Sequence, residues 1–414
     1  MRSFLRRLCV LIILSILIGS TLQQAFTAEK KTIRFWIYGA DTIVKPIKKV
    51  CKDFENLHPD ISVDIQVFGA WDDLNRKALL ALAAGDQPDM MRGKPQLLAD
   101  FAEKGALEPL DSYIKKDRVN TAYFLDVLFQ KSSKYKGKTY AFPFHVTCPA
   151  LFYNTELFKA AGLKRPPNTW EEEVEYAKKL TIPEKKQWGI YLYGGVYGYI
   201  MYLWQNGGKY ISDDYSKVLF NSKEGLEALQ WTIDLMYKHK VTPPLGSQTS
   251  QDITQGKVGM WHTYSEYRAV YRRDFPNLKF ASAIFPKKVK RTSMEMSSAL
   301  IIFSASKVKQ EAWELLKFLC LNEDNQRYMM SESDFLPVHK KVLMNPPFYT
   351  DPYFKPFIWQ LFHDVDARPI VPGADEMVNK LQEELQNAWY LKKSPEKALA
   401  DAEKALNEIL ARNK

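Results

Sequence analysis

Adjacent carboxylates are the first place to look for catalysis, and the chain carries them at Asp72-Asp73, Glu171-Glu172-Glu173 and Glu383-Glu384. A glycosidase-type acid pair needs two carboxyls facing one point from roughly 5–10 Å apart. Neighbours in sequence point in different directions, so Asp72-Asp73 would need a further partner, and the glutamate runs fall on solvated helix faces. No Gly-x-Ser-x-Gly, His-Glu-x-x-His, Walker loop or Gly-x-Gly-x-x-Gly occurs, and the 6 His residues show no metal-ligand spacing. The chemistry the residues do suggest is recognition. Aromatics make up 13% of the chain. Such rings fill cores, but they also lie against sugar rings, with polar neighbours pairing the hydroxyls.

Candidate positions follow from where strands end, because ligands of open α/β sheets sit outside the carboxyl ends of the strands. Trp36, Tyr38 and Asp41 close a first strand, Thr32–Tyr38; Trp36, mid-strand by periodicity, suits a core position as well as a ligand-facing one. Trp71 and Asp72 follow the alternating strand Ile61–Phe68, and Arg92 with Lys94 follows Pro88-Asp89. Trp261, His262 and Tyr264 close a strand through Gly259-Met260, and Ser297 with Ser298 precedes the apolar run Ala299–Phe303. Arg92 would grip a carboxylate, a phosphate or several hydroxyls through its planar fork.

The elements that must hold these residues alternate. Ile43, Ile47, Val50, Phe54 and Leu57 repeat at helical spacing up to Pro59, and Leu74–Ala84 is a second helix closed by Gly85. This β-α-β-α-β order predicts an α/β lobe with a mixed, mostly parallel sheet. Lys136-Gly137-Lys138 marks a hairpin turn. Phe142–Phe152 is then a long apolar extended run interrupted by Pro143 and Pro149, followed by a helix that stops at Gly162. A run that leaves one unit as a strand and enters the next as a helix suits a crossing between lobes, and it carries His145 and Thr147. Thr169 and Glu172 form a capping box for the next helix, and Ser222 and Ser394 cap later ones.

Several stretches, taken in order, resemble one family. They are Phe54-Glu55-Asn56-Leu57-His58-Pro59-Asp60-Ile61-Ser62-Val63, Ala84–Asp89, Gly105–Leu110, Tyr153-Asn154 and Pro166-Pro167-Asn168-Thr169-Trp170-Glu171-Glu172. Gln255–Met260 and Asp334–Val338 continue the series. Together they resemble bacterial extracellular solute-binding proteins, the maltose-binding-protein-like components of sugar ABC importers. The resemblance implies a two-lobed, periplasmic-binding-protein-like (type II) fold with each lobe discontinuous in sequence, residues 29–147 plus 282–335 and 148–281 plus 336–414. It also implies a carbohydrate held between the lobes, delivery to membrane permease subunits, a monomer, and no cofactor or catalytic role. Tyr197 falls where the family's helix before Gly207-Gly208 turns an aromatic towards the ligand, although Tyr197, Tyr199 and Trp204 also read as a core stripe. The chain departs from the pattern after Pro369-Ile370-Val371-Pro372. Met377-Val378 stand where maltose-binding members have stacking aromatics, which argues against a maltodextrin. A non-sugar solute such as a glycerol-phosphate-like anion, and a secreted glycoside-active enzyme, are the competing readings.

Length and ends agree with export. A chain of 414 residues exceeds one typical core. Arg2, Arg6 and Arg7 precede the apolar run Leu8–Gly19, which is short for a membrane span and suits a signal peptide over residues 1–28. A periplasmic location is expected. The net charge of +10 is spread along the chain, so it argues for solvated surface over a nucleic-acid stripe, while mildly favouring an anionic ligand. Cys51, Cys148 and Cys320 are expected as buried thiols rather than as a metal or disulfide set.

Overall fold

The computed structural model describes residues 30–413. The expected signal peptide over residues 1–28 lies outside the described residues. The first lobe opens as β1 (Lys31–Tyr38), α1 (Asp41–Leu57), β2 (Ile61–Phe68), α2 (Trp71–Ala84), β3 (Met90–Gly93) and β4 (Ala141–Thr147). The chain then crosses into β5 (Ala150–Asn154), α3 (Trp170–Leu180), β6 (Trp188–Tyr191), α4 (Gly195–Gln205), β7 (Val258–Thr263), α5 (Tyr267–Asp274) and β8 (Phe280–Ala283). It returns as β9 (Met296–Ile302), α6 (Lys309–Cys320), α7 (Glu323–Ser333) and β10 (Leu336–Pro337), and ends in α8 (Ala374–Trp389) and α9 (Pro395–Arg412).

Two sheets organise the lobes, six strands in the order β10-β4-β9-β3-β1-β2 and four in the order β8-β5-β7-β6. Within these two sheets, parallel pairing is confined to β2-β1-β3 and β7-β6, where consecutive strands are joined by crossover helices. Every strand that enters a sheet from the other lobe pairs antiparallel. The two-lobed α/β fold stands, with less parallel pairing than the alternating order suggested. Residues 282–283 pair in the four-stranded sheet, and Leu336–Pro337 in the six-stranded one. Near the second crossing, Ser293–Met294 pairs in parallel with Val365–Asp366, a short ladder that ties two connections together.

Local chemistry explains the elements. Lys136 and Gly137 both have positive φ (45° and 77°), the geometry that lets a two-residue turn match strand twist. Thr169 Oγ1 accepts from the Glu172 backbone N–H at 3.2 Å. The Glu172 carboxylate reaches Asn168 N–H and Arg165, one residue beyond the reciprocal partner that a capping box expects. Pro143 sits inside β4 and cannot donate to the ladder. Pairing jumps there from Ala299–Pro143 to Ser298–His145, a bulge at Phe144 that resets the register just before the cleft. Cys51, Cys148 and Cys320 are free and buried, Cys148 within the first crossing.

Candidate functional site

The C-terminal ends of β1, β3 and β4 face those of the second lobe across a cavity of about 470 Å³. Of the expected site residues, Tyr38, Trp71, Arg92, His145, Tyr197, Tyr264 and Ser297 line it. Tyr38 packs on Trp71 with ring centroids 4.7 Å apart, forming an aromatic wall on the first lobe. Tyr197, at the start of α4, faces it from the second lobe, and the Arg368 guanidinium lies 4.3 Å from its ring centroid.

Arg92 is the polar centre of the first-lobe wall. Its Nε donates to Ser298 Oγ at 2.9 Å, one Nη to the Tyr38 carbonyl and the other to His145 Nε2. Three strands besides its own are thereby pinned to one guanidinium. Gly39 makes room for it, since a Cβ at that position would lie 3.2 Å from the Arg92 Nη1 atom and 2.5 Å from Ile43 Cγ2. Burial lowers the Arg92 pKa to about 9, which leaves the group charged at neutral pH. Burial and the adjoining Arg92 charge hold His145 well below the usual histidine range, so its imidazole is neutral. Arginine has no acceptor to offer, so Nε2 accepts and the proton resides on Nδ1, which has no partner among the described residues.

Other expected positions are held elsewhere. Trp36 is buried on the α2 side of the sheet against Phe68, with centroids 5.4 Å apart. Trp261 is enclosed by Phe152, Tyr271 and Phe280. His262 is buried between Glu173 Oε1 and Tyr202 Oη, at 3.0 Å from each. These three residues are core, because their strands turn them to the faces that the flanking helices cover. Asp41 is exposed on the first turn of α1 and pairs with Lys45. Asp72 is exposed at the cleft edge, 3.9 Å from Lys94 Nζ, while Asp73 turns to Arg76, so the two adjacent carboxylates do not converge. Met377 is buried in the second-lobe core.

Cleft residues not expected from the sequence include Glu266, Tyr267, Phe335 and Arg368. Glu266 is the one carboxylate among the described residues lining the cavity, so no facing acid pair is assembled there. Its Oε2 is buried without a hydrogen-bond partner among the described residues, and burial raises the carboxyl pKa to about 7. Phe335 packs on His145 with centroids 4.0 Å apart. Beside the cleft, Arg268 of α5 is buried and forked onto Asp334 of the segment after α7, at 3.0 and 2.6 Å, with Asp351 as a second partner. Among the described residues no group of acidic, histidine or cysteine side chains could hold a metal ion.

The profile of the family described as bacterial extracellular solute-binding protein matches residues 40–326. The chain belongs to that family. A putative binding protein of Brucella abortus (strain 2308) is 28% identical over 403 residues, spanning 94% of this chain and 96% of that one. A maltotriose-binding protein of Pyrococcus abyssi is 24% identical over 80% of this chain and 71% of its own length. An ABC transporter solute-binding protein of Thermotoga lettingae TMO, bound with α-D-tagatose, is similar in structure. Its TM-score is 0.82 and its identity 30%, over 92% of this chain and 100% of that one. An ABC substrate-binding protein of Listeria monocytogenes in complex with cycloalternan superposes with a TM-score of 0.84 at 25% identity, covering 92% of this solute-binding protein and 100% of its own chain. The family and these relatives are binding proteins.

Proposed function

We propose that this solute-binding protein takes up a carbohydrate in the inter-lobe cleft and presents it, from the periplasm, to the membrane permease of an ABC importer. The observation that carries the reading is the cavity wall itself, with Tyr38 and Trp71 on one lobe and Tyr197 and Tyr264 on the other. Ring faces of this kind cover the apolar faces of a pyranose, and the interleaved donors and acceptors pair its hydroxyls. The volume of about 470 Å³ suits a ligand of one or two sugar units. Relatives bound with tagatose and with cycloalternan, both carbohydrates, support the ligand class. A hinge at the crossings would let the lobes close on the ligand, so that the liganded form is the one recognised at the membrane.

A thermal-shift screen of the purified chain against mono- and oligosaccharides tests this. The expected result is a saturable rise for one sugar class, about 2.7 kcal/mol of added stability at 100 times the dissociation constant, with no product formed. Product release would reassign the protein as an enzyme. A shift with non-sugar solutes alone would overturn the carbohydrate assignment.

A further inference from the structure

Resting on the carbohydrate reading, we propose that the cleft selects an acidic sugar, whose carboxylate is taken by Lys94 and the unused N–H groups of Arg92 and Arg368. Three cationic side chains line one cavity, against a single carboxylate, Glu266. A neutral sugar offers these cations only hydroxyl oxygens, whereas a carboxylate offers charge-assisted bonds and offsets the desolvation of buried cations.

The cations are poorly matched within the protein. Arg92 is 1% exposed, and its three bonds run to a hydroxyl, a carbonyl and a neutral imidazole, none of them an anion. A guanidinium has five N–H groups, so two remain. Arg368 is 8% exposed; one Nη donates to the Gln96 amide oxygen at 2.7 Å, and its buried Nε has no hydrogen-bond partner among the described residues. The nearest acid to Lys94 is Asp72 at 3.9 Å, and the Asp72 side chain is 91% exposed. Elsewhere the chain pairs buried arginine tightly: Arg268, just beside the cleft, holds two aspartates. Acidic groups stand nearby, Glu266 towards Arg92 and the buried Glu295 towards Arg368, yet among the described residues neither arginine is in direct contact with an anion.

Geometry favours a carboxylate on the first-lobe side. Arg92 and Lys94 lie 5.4 and 5.7 Å from the Trp71 ring, so a sugar resting near this indole would present a ring substituent to both cations. Glu266 limits the charge that the cavity accepts, which suits a singly charged carboxylate better than a doubly charged phosphate ester.

Calorimetric titration of the purified chain with matched pairs tests the proposal: hexuronates and their oligomers against the parent hexoses and the methyl-esterified uronates. Hexose phosphates form a separate arm. The expected result is an acid bound at least about tenfold more tightly than its neutral partner, with the preference shrinking as salt is raised. Lys94→Met should cut the acid's affinity about tenfold and narrow the ratio between the acid and its neutral partner, and Glu266→Gln should widen that ratio. If neutral partners bind as tightly as the acids, or only the phosphates bind, the proposal is overturned. Neutral-sugar binding without acid preference leaves the carbohydrate reading intact. Absence of binding by every saccharide takes down both.

Discussion

The Arg92 guanidinium donates to Nε2 of His145, and that single contact fixes the tautomer of a histidine in the cleft wall. With the proton on Nδ1 and a cation at the other nitrogen, protonation would place two positive charges in contact inside a buried site. The imidazole should therefore stay neutral, with one nitrogen-bound proton, from pH 8 down to pH 5, as read by ¹⁵N-detected NMR of the ring. Because its pKa lies below the ordinary 6.5, the unfolded chain binds this proton first, and the stability contribution is lost as pH falls below about 6.5. Arg92→Lys keeps the charge but cannot reach three acceptors in a fork, and should destabilise the chain by about 2–3 kcal/mol in urea titration.

Glu266 runs the opposite way. Burial raises its pKa from 4.5 to about 7, although its own backbone N–H, Thr147 and Arg92 oppose the rise; Asp334 reinforces it, and the adjacent Tyr267 feels the Glu266 charge. Between those two values the folded chain holds a proton that the unfolded chain has released, so stability falls as pH climbs through that window. Glu266→Gln should raise stability by about 1–3 kcal/mol at pH 8 and leave it unchanged at pH 4, measured by denaturation at both values.

Arg268 joins the second lobe to Asp334 of the first and to Asp351 of the C-terminal segment. Arg268→Met strips a buried arginine from two carboxylates and should cost about 3–5 kcal/mol in chemical denaturation. Replacing all three residues with apolar side chains of similar volume should recover most of that loss.

Aromatic truncations should separate core from cleft. Trp261→Ala and Trp36→Ala remove buried rings and should each lower stability by about 3–5 kcal/mol. Trp71→Ala and Tyr197→Ala remove half-buried cleft rings. Each should weaken sugar binding about tenfold while shifting the melting temperature by only a few degrees.

Much of the scaffold was legible because its signals are local. The Lys136-Gly137 turn, the Thr169 cap and the alternation of β2 depend on residues within a few positions of one another. The strand-end rule also found Tyr38, Trp71 and Arg92, since depth along a strand follows from sequence. It could not say which face a side chain takes, and so it included Trp36, Trp261 and His262. The partner that holds His262 in the core, Glu173, is 89 residues away. Phe335 and Arg368 escaped notice for a related reason: they reach the cleft on segments whose placement depends on the later crossings, while Glu266 lies two residues past Tyr264, where the strand-end reading stopped. An arginine beside Pro369 carries no mark of its neighbours. Only the assembled lobes bring it over Tyr197.

Cys148 has a use that its packing did not evolve to serve. Its thiol is fully buried in the first crossing, pushed up to about 12 by burial, and contacted by Gln360 and the Phe357 carbonyl of the C-terminal segment. An alkylating reagent can meet it only when the segments around the crossing part. In a chain starting at residue 29, and so without Cys9, with Cys51 and Cys320 replaced by serine, the labelling rate becomes an internal clock of hinge breathing, requiring no attached dye. A bound solute that clamps the lobes should slow that clock in proportion to its occupancy.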